Sequence, residues 1–285
     1  MERRVPSETV SPSRPPFVSF LSDYGRADEF VGVCHAVMLD LVPELRIVDV
    51  THELAPFDVR AGALALVRAV QYVPDGVVLA IVDPGVGTGR RCVAVEVGGG
   101  FLVGPDNGLL APAVAMVGGP LRVVALENPD YRLPAPGPTF AGRDIMAPAA
   151  ARLAAGVPVS EFGPEVDPVT LAPGLVPLPN EADDGSLQCE VLWVDRFGNA
   201  QLNVAPEHLA SRGLEPGGMI GVRIGDRERR ARWVHTFSDA KPAELVVLTD
   251  SYGMCALALD QRSAAAELKL RPGHALTIVT PEAGS

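Results

Sequence analysis

A run of six apolar residues that ends in an aspartate constrains the fold most strongly. It covers residues 77–82, and four of the six are β-branched. Such a run is typical of a strand that is buried on both faces, as in a parallel sheet. The chain continues as Asp83-Pro-Gly-Val-Gly-Thr-Gly-Arg90, where the proline and three glycines require a tight loop. The pattern therefore predicts a buried strand whose end carries a carboxylate and, shortly after it, a guanidinium.

Asp83 and Arg90 allow two interpretations. A carboxylate and a guanidinium at the mouth of a sheet could together orient a water molecule or a small anion. The same two residues could instead form a structural ion pair that closes a hairpin between residues 77–82 and the next apolar run, Cys92 to Val97. The local pattern favours neither interpretation.

The first half of the chain alternates between strand and helix patterns. A strand at 17–21 precedes a helix that we expect Asp28 to cap, and a strand at 46–50 precedes a helix that begins at Asp58. Together with the strand at 77–82, this β-α-β-α-β order predicts a largely parallel sheet that is covered by helices. Later strands are predicted at 101–103 and 121–126, and a helix at 143–154.

The second half has a different rhythm. Residues 171–187 are rich in proline, glycine and acidic residues without periodicity, which predicts a linker. The runs beyond it are short and strand-like, and they predict a small antiparallel barrel or sandwich; they are 189–194, 219–224, 230–235, 245–248, 255–259 and 275–279. The expected architecture is an α/β domain over 17–170 and a smaller all-β barrel domain over 188–285, after a disordered leader at 1–16.

Composition excludes several classes of partner. The formal net charge of −11 argues against binding to nucleic acid or to an anionic membrane surface. No apolar run is long enough to span a bilayer, and residues 1–16 lack the apolar stretch of a signal peptide. The four cysteines are far apart and form no CxxC pair, which is typical of buried thiols in a reducing compartment. We expect a soluble, cytoplasmic protein.

Three polar loops follow predicted strands of the α/β domain. They contain Asp23, Asp83 and the segment Gly104 to Gly108, which includes Asp106 and Asn107. Each loop alone is best explained as a turn or a helix cap. Ligands of open α/β sheets bind beyond the carboxyl ends of the strands, so three such loops together favour a polar pocket.

Other chemistries have weaker support. The glycines after Asp83 lead into a strand, so they do not place a phosphate at a helix N-terminus. No GxSxG elbow of a serine hydrolase is present. A metal-dependent hydrolase remains an alternative, although no short-spaced pair of ligands supports it; its candidate ligands are Asp23, Asp49, His52, Asp83 and Asp106.

Taken together, seven segments resemble one family, the S-adenosyl-L-methionine hydroxide adenosyltransferases, which are relatives of the fluorinase and the chlorinase. The segments occur in the family's order from Phe17 onward, and their combination is highly specific. They are Ser22-Asp-Tyr-Gly with Asp28-Glu-Phe-Val-Gly, Asp49-Val-Thr-His, Val82-Asp-Pro-Gly-Val-Gly-Thr, Gly104-Pro-Asp-Asn-Gly-Leu-Leu, Thr139-Phe-Ala-Gly-Arg-Asp, Asp195-Arg-Phe-Gly-Asn and Ser251-Tyr-Gly.

The resemblance implies hydrolysis of S-adenosyl-L-methionine to adenosine and L-methionine, without a cofactor or a metal. It implies an α/β domain, a β-barrel domain and a homotrimer with active sites between neighbouring subunits. Asp83 and Arg90 would hold the attacking water, and Asp23 would accept hydrogen bonds from the ribose hydroxyls. The remaining substrate contacts would come from Asp28, Phe57, Asn107, Gly142, Asp195, Phe197, Asn199, Phe237, Ser251, Tyr252 and Gln261.

Several of these residues have a specific expected role. Asn199 would bond the adenine edge, while Phe57 and Phe237 are either faces that flank the nucleoside or core residues. Asp195 would pair with the methionine ammonium, and Ser251 with its carboxylate. Members that resemble the fluorinase carry tyrosine where Asp83 stands, and the fluorinase carries serine where Gly142 stands, so halogenation is not the expected reaction.

The chain departs from the family at Ala141, where hydroxide-forming relatives carry the histidine of an Asp-Arg-His triad. Loss of one acid–base or orienting group costs about 10²–10⁴ in rate, so slow hydrolysis is expected. Two alternatives remain open: a protein that binds S-adenosylmethionine or adenosine without turnover, and a different nucleophile that uses the vacated space.

Overall fold

The structure is a computed structural model that describes residues 16–280. The chain forms two compact units, of which the first reaches Leu175 and the second begins at Val176. Each has its own apolar core. The predicted disordered leader lies outside the described residues, apart from Pro16.

The first unit is built around a six-stranded sheet. Neighbouring strands follow the order β2-β1-β3-β5-β4-β6, in which β1, β2, β3 and β5 are parallel and β4 is antiparallel to both its neighbours. The mostly parallel sheet of the prediction is therefore confirmed. The elements are β1 (Phe17–Ser22), α1 (Phe30–Leu41), β2 (Arg46–Thr51), α2 (Val59–Val70), β3 (Gly76–Ile81), β4 (Cys92–Val97), β5 (Gly100–Pro105), α3 (Ala111–Met116), β6 (Arg122–Ala125) and α4 (Ala147–Ala154).

The loop from Asp83 to Arg90 does not close a hairpin. Strand β5 lies between β3 and β4 in the sheet, so the two strands that flank this loop are not paired with each other. Instead, β3 pairs in parallel with β1 and β5. The hairpin interpretation of the ion pair is therefore wrong, and the loop lies at the end of an interior strand.

Helices cover both faces of this sheet. On one face, Phe20 and Leu79 of the sheet pack in one cluster with Met38 of α1 and Leu153 of α4. On the other face, Ala80 packs in a second cluster with residues of α2 and α3. Apolar side chains are buried on both faces of the sheet, which explains why the central strands read as continuous hydrophobic runs rather than alternating ones.

The helix starts agree with the sequence in one case and differ in another. The predicted helix start at Asp58 agrees with the structure to one residue: α2 begins at Val59, and Asp58 is its N-cap, with Oδ1 accepting a hydrogen bond from the Ala61 N–H at 2.8 Å. The prediction that Asp28 caps α1 is wrong. The helix begins at Phe30 with Glu29 at the N-cap position and no side-chain cap, so Asp28 lies in the preceding loop with its carboxylate free for another role.

The predicted helix at 143–154 has two parts. A π-helical turn, Gly142–Met146, precedes α4. Wider turns of this kind occur often at functional sites because they re-aim side chains. Here the turn follows directly on Ala141, at the edge of the cavity described below.

The second unit is a closed barrel of the seven strands β8 to β14. Strand β14 pairs with both β10 and β8, which completes the ring and leaves β7 as an extra strand beside β8. The predicted all-β barrel is confirmed, but it is not wholly antiparallel as expected, because β11 and β12 pair in parallel. The elements are β7 (Asn180–Glu181), β8 (Leu187–Val194), β9 (Ala200–Leu202), α5 (Pro206–Ala210), β10 (Met219–Ile224), β11 (Arg227–Trp233), β12 (Leu245–Thr249), β13 (Cys255–Leu259), α6 (Ala264–Leu268) and β14 (Ala275–Val279).

Candidate active site

The carboxyl ends of β1 and β3 bring two aspartates to one edge of the first sheet. The two strands are parallel neighbours, and the Asp23 N–H donates to the Ile81 carbonyl at 3.2 Å. A cavity of ≈ 400 Å³ opens there, which we call the ribose cavity after the role proposed below. Five residues expected at the site line it together with Ala141: Asp23, Asp28, Phe57, Asp83 and Gly142.

Asp23 is tied to the loop before α2. Its Oδ2 accepts a hydrogen bond from the Phe57 N–H at 2.8 Å. Phe57 has a φ of 69°, in the left-handed region that a phenylalanine seldom adopts, and its side chain is 73% exposed. Strained backbone of this kind persists where surrounding contacts enforce it, often at ligand sites. The bond to Asp23 and the Asp58 cap are those contacts here.

Asp83 and Arg90 form a buried ion pair with two unused atoms. Arg90 Nη2 donates to Asp83 Oδ2 at 2.5 Å, and the two side chains are only 11% and 6% exposed. Asp83 Oδ1 and Arg90 Nε are buried and have no hydrogen-bond partner. One is an acceptor and the other a donor, so each still offers a hydrogen bond to a water molecule.

Burial changes the acidity of this site. It raises the pKa of Asp83 above the ordinary aspartate value, even though the Arg90 guanidinium acts in the opposite direction. A carboxylate with a raised pKa is a better proton acceptor than an exposed one. Burial, followed by neighbouring acidic groups that include Asp23 and Asp83, also raises the pKa of Tyr24 far above its ordinary value, so its hydroxyl stays protonated.

The Tyr24 side chain leaves no space for a Cβ atom at position 142, where the chain has glycine. A Cβ at position 142 would lie 2.1 Å from the Tyr24 hydroxyl oxygen, which is far inside contact distance. The Tyr24 ring packs against Phe30 and Phe140 with centroids 5.5 and 5.7 Å apart. These three rings line the ribose cavity, and the sequence analysis did not assign them to the site. Tyr24, Phe30 and Phe140 stand in segments that resemble the family, and this was the signal by which the sequence could have assigned them to the site.

Ala141 borders two cavities. It lines the ribose cavity and also a neighbouring cavity of ≈ 530 Å³ whose wall includes Arg90, Arg91 and Arg132. Ala141 is buried, with 9% exposure, and its methyl group offers neither a donor nor an acceptor. The position that resembles the family's triad histidine is therefore next to the Asp83–Arg90 pair, and it lacks acid–base chemistry.

The third polar loop contacts the residue before Asp83 without lining a cavity of this unit described above. Asn107 Nδ2 donates to the Val82 carbonyl at 2.9 Å, directly before Asp83 in the chain, and Asn107 lines neither the ribose cavity nor the arginine-lined one. Asp106 is fully engaged, because it pairs with Arg91 at 2.6 Å and accepts a hydrogen bond from the Ala172 N–H at 2.8 Å. A substrate contact of Asn107 stays a prediction.

The second unit has a cavity of its own, of ≈ 480 Å³, which we call the aromatic cavity. Its walls include Trp193 and Thr236, which the sequence analysis did not assign, beside six residues that it did assign. Trp193 and Tyr252 lie in an edge-on arrangement with centroids 6.5 Å apart. The six assigned residues are Asp195, Phe197, Asn199, Phe237, Ser251 and Tyr252.

Two turns of the same construction border the aromatic cavity. In the first, Asp195 Oδ1 accepts from the N–H groups of Phe197 and Asn199 at 2.9 and 2.8 Å. In the second, Asp250 Oδ1 accepts at 2.8 and 3.1 Å from the N–H groups of Tyr252 and Met254, which stand at the same spacing. The carboxylate of each turn fixes an aromatic residue two positions later.

The first turn also presents a polar edge. Asn199 Nδ2 donates to Asp195 Oδ2 at 2.7 Å, which leaves the Asn199 carbonyl oxygen and one N–H for another partner. Phe197 is 78% exposed, so it is not a core residue. Gln261 lies in the turn between β13 and α6 with a φ of 53° and does not line the aromatic cavity.

The five candidate metal ligands do not assemble. Asp83 and Asp106 are each paired with an arginine, and Asp23 accepts from a backbone N–H. Within residues 16–280, the group of three or more side chains that could hold a metal ion consists of Asp49 and His52 with a third residue, His35, that the sequence analysis did not name.

No helix within the described part of the chain combines the length and the apolar character that crossing a bilayer requires.

Comparison with known proteins identifies relatives that match almost the whole length of this chain. A protein of Salinispora tropica named (R)-S-adenosyl-L-methionine hydrolase is 48% identical over 263 residues, which are 92% of this chain and 97% of that protein. A fluorinase of an Actinoplanes species is 29% identical over 292 residues, with 92% and 97% covered. A crystal structure of an uncharacterised conserved protein from Thermotoga maritima superposes with a TM-score of 0.86 at 31% identity and covers 92% of this chain and 100% of that one.

Family models match each unit separately. Residues 18–163 match the SAM hydroxide adenosyltransferase N-terminal domain, and residues 189–277 match the C-terminal domain of the same family. The two matches fall on the α/β unit and on the barrel, in the order that the sequence motifs predict. The chain therefore belongs to the SAM hydroxide adenosyltransferase family.

Proposed function

We propose that this protein hydrolyses S-adenosyl-L-methionine to adenosine and L-methionine through in-line attack of water on the ribose 5′ carbon. The observation that carries the proposal is the incomplete pairing of Asp83 with Arg90. Asp83 Oδ1 and Arg90 Nε are buried, unpaired and complementary, and a water molecule between them would be both held and activated. The relative from Salinispora tropica is named as a hydrolase of this substrate.

The chemistry needs little besides alignment and a proton acceptor. The bond from the water oxygen to the 5′ carbon forms as the bond from that carbon to sulfur breaks, and the electron pair stays on sulfur as the neutral thioether of methionine. The water proton passes to the Asp83 carboxylate, whose raised pKa suits this role. Since the sulfonium is already a good leaving group, positioning supplies most of the acceleration.

The two cavities suit different parts of this substrate. Asp23, fixed by the Phe57 N–H, would accept hydrogen bonds from the ribose hydroxyls. In the aromatic cavity, the free edge of Asn199 matches the donor and acceptor of adenine, and Asp195 would pair with the methionine ammonium. Aromatic faces also attract cations, so they favour a sulfonium ligand.

Water is the preferred nucleophile over a halide. Asp83 is paired with the Arg90 guanidinium beside the point of attack, and the negative charge of its carboxylate form would repel a chloride or fluoride ion in a site of low dielectric constant. Gly142 and Tyr24 leave no room for a serine side chain at position 142. The relative named as a fluorinase is also less similar, at 29% identity, than the relative named as a hydrolase.

A homotrimer with active sites between neighbouring subunits is part of the proposal. Phe57 and Phe197 are 73% and 78% exposed, although both border cavities in which a nucleoside would need enclosure. A neighbouring subunit would bury these rings and bring both sets of substrate contacts to one ligand. The four cysteines are free and buried, which supports a cytoplasmic location.

The direct test is chromatography of S-adenosylmethionine incubated with purified protein in halide-free buffer, and again with added chloride. We expect adenosine and methionine in equal amounts over many turnovers, at the same rate with chloride. A chlorinated nucleoside, or no product while the ligand stays bound, would contradict the proposal.

One observation favours a second candidate, a protein that binds S-adenosylmethionine or adenosine without turning it over. Ala141 places a methyl group where the resemblance implies an acid–base histidine. If that imidazole is indispensable, adenosine will appear in less than one equivalent per subunit, while binding remains tight. The same incubation, compared with a calorimetric titration, distinguishes the two candidates.

A further inference from the structure

A second cluster of polar side chains lies on the first unit, and it belongs to neither substrate cavity. His35 projects from α1, Asp49 from β2, and His52 follows the last residue of β2. Asp49 Oδ1 lies 2.8 Å from His35 Nε2 and 3.0 Å from His52 Nε2. The ligand atoms of all three lie within 4.8 Å of one another. None of the three lines the ribose cavity or the aromatic cavity.

His52 is held rigidly and has a free nitrogen. Its side chain is fully buried, and its Nδ1 lies 2.7 Å from the Ser22 hydroxyl. The Phe20 ring packs edge-on against it with centroids 4.6 Å apart, which fixes the plane of the imidazole. Although Asp49 Oδ1 is near His52 Nε2, it makes no well-directed hydrogen bond to it, and this buried atom has no hydrogen-bond partner.

We propose that His35, Asp49 and His52 bind a first-row divalent metal ion, with Zn²⁺ as the best fit. Both histidines would coordinate through Nε2 and the aspartate through Oδ1. The fourth position would be a water, since the His35 and Asp49 side chains are each 27% exposed and leave a solvent-facing side.

The surroundings of His52 match those of a metal-bound histidine. Such a histidine usually donates its other ring N–H to a fixed acceptor, which sets the tautomer and the ring orientation. Ser22 Oγ is that acceptor if Nδ1 carries the proton, and this tautomer leaves the Nε2 lone pair for a metal. In that arrangement Nε2, which lies 3.0 Å from Asp49 Oδ1, would coordinate the ion together with the carboxylate.

The distances fit a small ion. Around an ion with bonds of about 2.0–2.1 Å, neighbouring ligand atoms lie roughly 3.0–3.4 Å apart. The separations of 2.8 and 3.0 Å between Asp49 Oδ1 and the two Nε2 atoms would have to widen by a few tenths of an ångström. The two Nε2 atoms, which lie within 4.8 Å of each other, would have to close to the same spacing. Helix α1 carries one ligand and strand β2 another, so the ion would also tie these two elements together.

The ligand types select the class of ion. Two imidazoles and one carboxylate suit Zn²⁺ and other late first-row ions, whereas Mg²⁺ and Ca²⁺ prefer several oxygen ligands. A site with one carboxylate must rely on the strength of its nitrogen bonds rather than on negative charge.

The test uses the full chain without a polyhistidine segment, stripped with a chelator and titrated with zinc chloride against a chromophoric zinc indicator. We expect one Zn²⁺ per chain. His35→Gln and Asp49→Asn should each weaken binding by at least about tenfold, since even residues that only orient a metal ligand contribute about 10- to 100-fold. Cobalt chloride should give the visible bands of a low-coordinate site in the parent protein and lose them in both variants.

His274→Gln is the matched control, because His274 is also partly buried but bonds Arg271 in the second unit. It should bind zinc as the parent does. Both test variants change partly exposed residues, and circular dichroism will show that they remain folded. No stoichiometric binding by the parent, or equal affinity in His35→Gln, would overturn the proposal. Neither outcome depends on S-adenosylmethionine, so the proposed hydrolysis stands or falls separately.

Discussion

The ribose cavity and the aromatic cavity are built by opposite means. In the ribose cavity, Asp83 is 6% exposed and stands at the end of an interior strand, where neighbouring strands fix its position. In the aromatic cavity, Phe197 is 78% exposed and stands on a turn that one carboxylate holds together. Rigid, buried polar groups suit bond-breaking chemistry, and exposed rings on turns suit recognition. The comparison implies that the first cavity controls kcat and the second controls KM.

Among the variants that test this division between kcat and KM, Asp83→Asn should have the largest effect. The amide keeps the shape but cannot accept the proton from water, so kcat should fall by about 10²–10⁴. Binding of S-adenosylmethionine, measured by calorimetry, should change little. If the variant loses binding and keeps kcat, Asp83 contributes to substrate binding rather than to the chemical step, and the proposed division is wrong.

Ala141→His should act in the opposite direction. It adds an imidazole to the wall that Ala141 shares with the ribose cavity and the arginine-lined cavity. If a missing acid–base group limits the reaction, kcat should rise by up to about 10²-fold. Stopped time courses of adenosine formation measure this rise. An unchanged kcat in a folded variant would show that the imidazole is not limiting.

Asp195→Asn tests the aromatic cavity. The variant removes the charge expected to pair with the substrate ammonium, and hydrogen bonds to charged groups contribute about 1.5–3 kcal/mol. We therefore expect KM to rise roughly ten- to a hundredfold while kcat stays within a few-fold. Steady-state kinetics over a range of substrate concentrations separate the two constants. A fall in kcat at constant KM would be evidence against the division.

Gly142→Ala should have a moderate effect, because its Cβ would lie 2.1 Å from the Tyr24 hydroxyl. Overpacking of this kind costs about 1–3 kcal/mol, and displaced Tyr24 should lower kcat/KM as well as Tm. Gly32→Ala in α1 is the control, since its Cβ meets nothing within 4 Å. Equal behaviour of the two variants would show that the fit between Tyr24 and Gly142 is unimportant.

The pH dependence should show the smallest effect. In the proposed mechanism Asp83 is the base and acts only when ionised, so kcat/KM should fall as the pH falls through its pKa. Because burial raises that pKa, the loss should begin at a higher pH than for an exposed aspartate. The residual activity of Asp83→Asn should lack this acid limb. The same limb in the variant would assign it to another group.

The sequence predicted where the loops of the site lie along the chain better than it predicted which strands lie beside one another in the sheet. The run at 77–82 and the loop after Asp83 could be placed at a strand end because burial on both faces leaves a local apolar signature. The position of β5 between β3 and β4 could not be predicted from the local sequence, since the pairing of strands depends on the whole sheet. The hairpin interpretation failed for that reason.

Side chains that meet only through tertiary structure also escaped the sequence analysis. His35 is 14 residues from Asp49, and the fold brings a side chain of α1 within 2.8 Å of one of β2. Tyr24 constrains Gly142 across the cavity, and no spacing rule links residues so far apart. The turn around Asp195 was predictable, because an aspartate that caps nearby N–H groups acts within a few residues of itself.

The origin of the oxygen in the product tests the central claim most directly. A single turnover, with enzyme in excess, would be run in water enriched in the heavy oxygen isotope, and the adenosine would be analysed by mass spectrometry. Attack by water held between Asp83 and Arg90 predicts heavy oxygen in the 5′ hydroxyl of the adenosine and none in the protein. Unlabelled adenosine with heavy oxygen in the Asp83 carboxylate would show that the aspartate itself attacks, and would contradict the account.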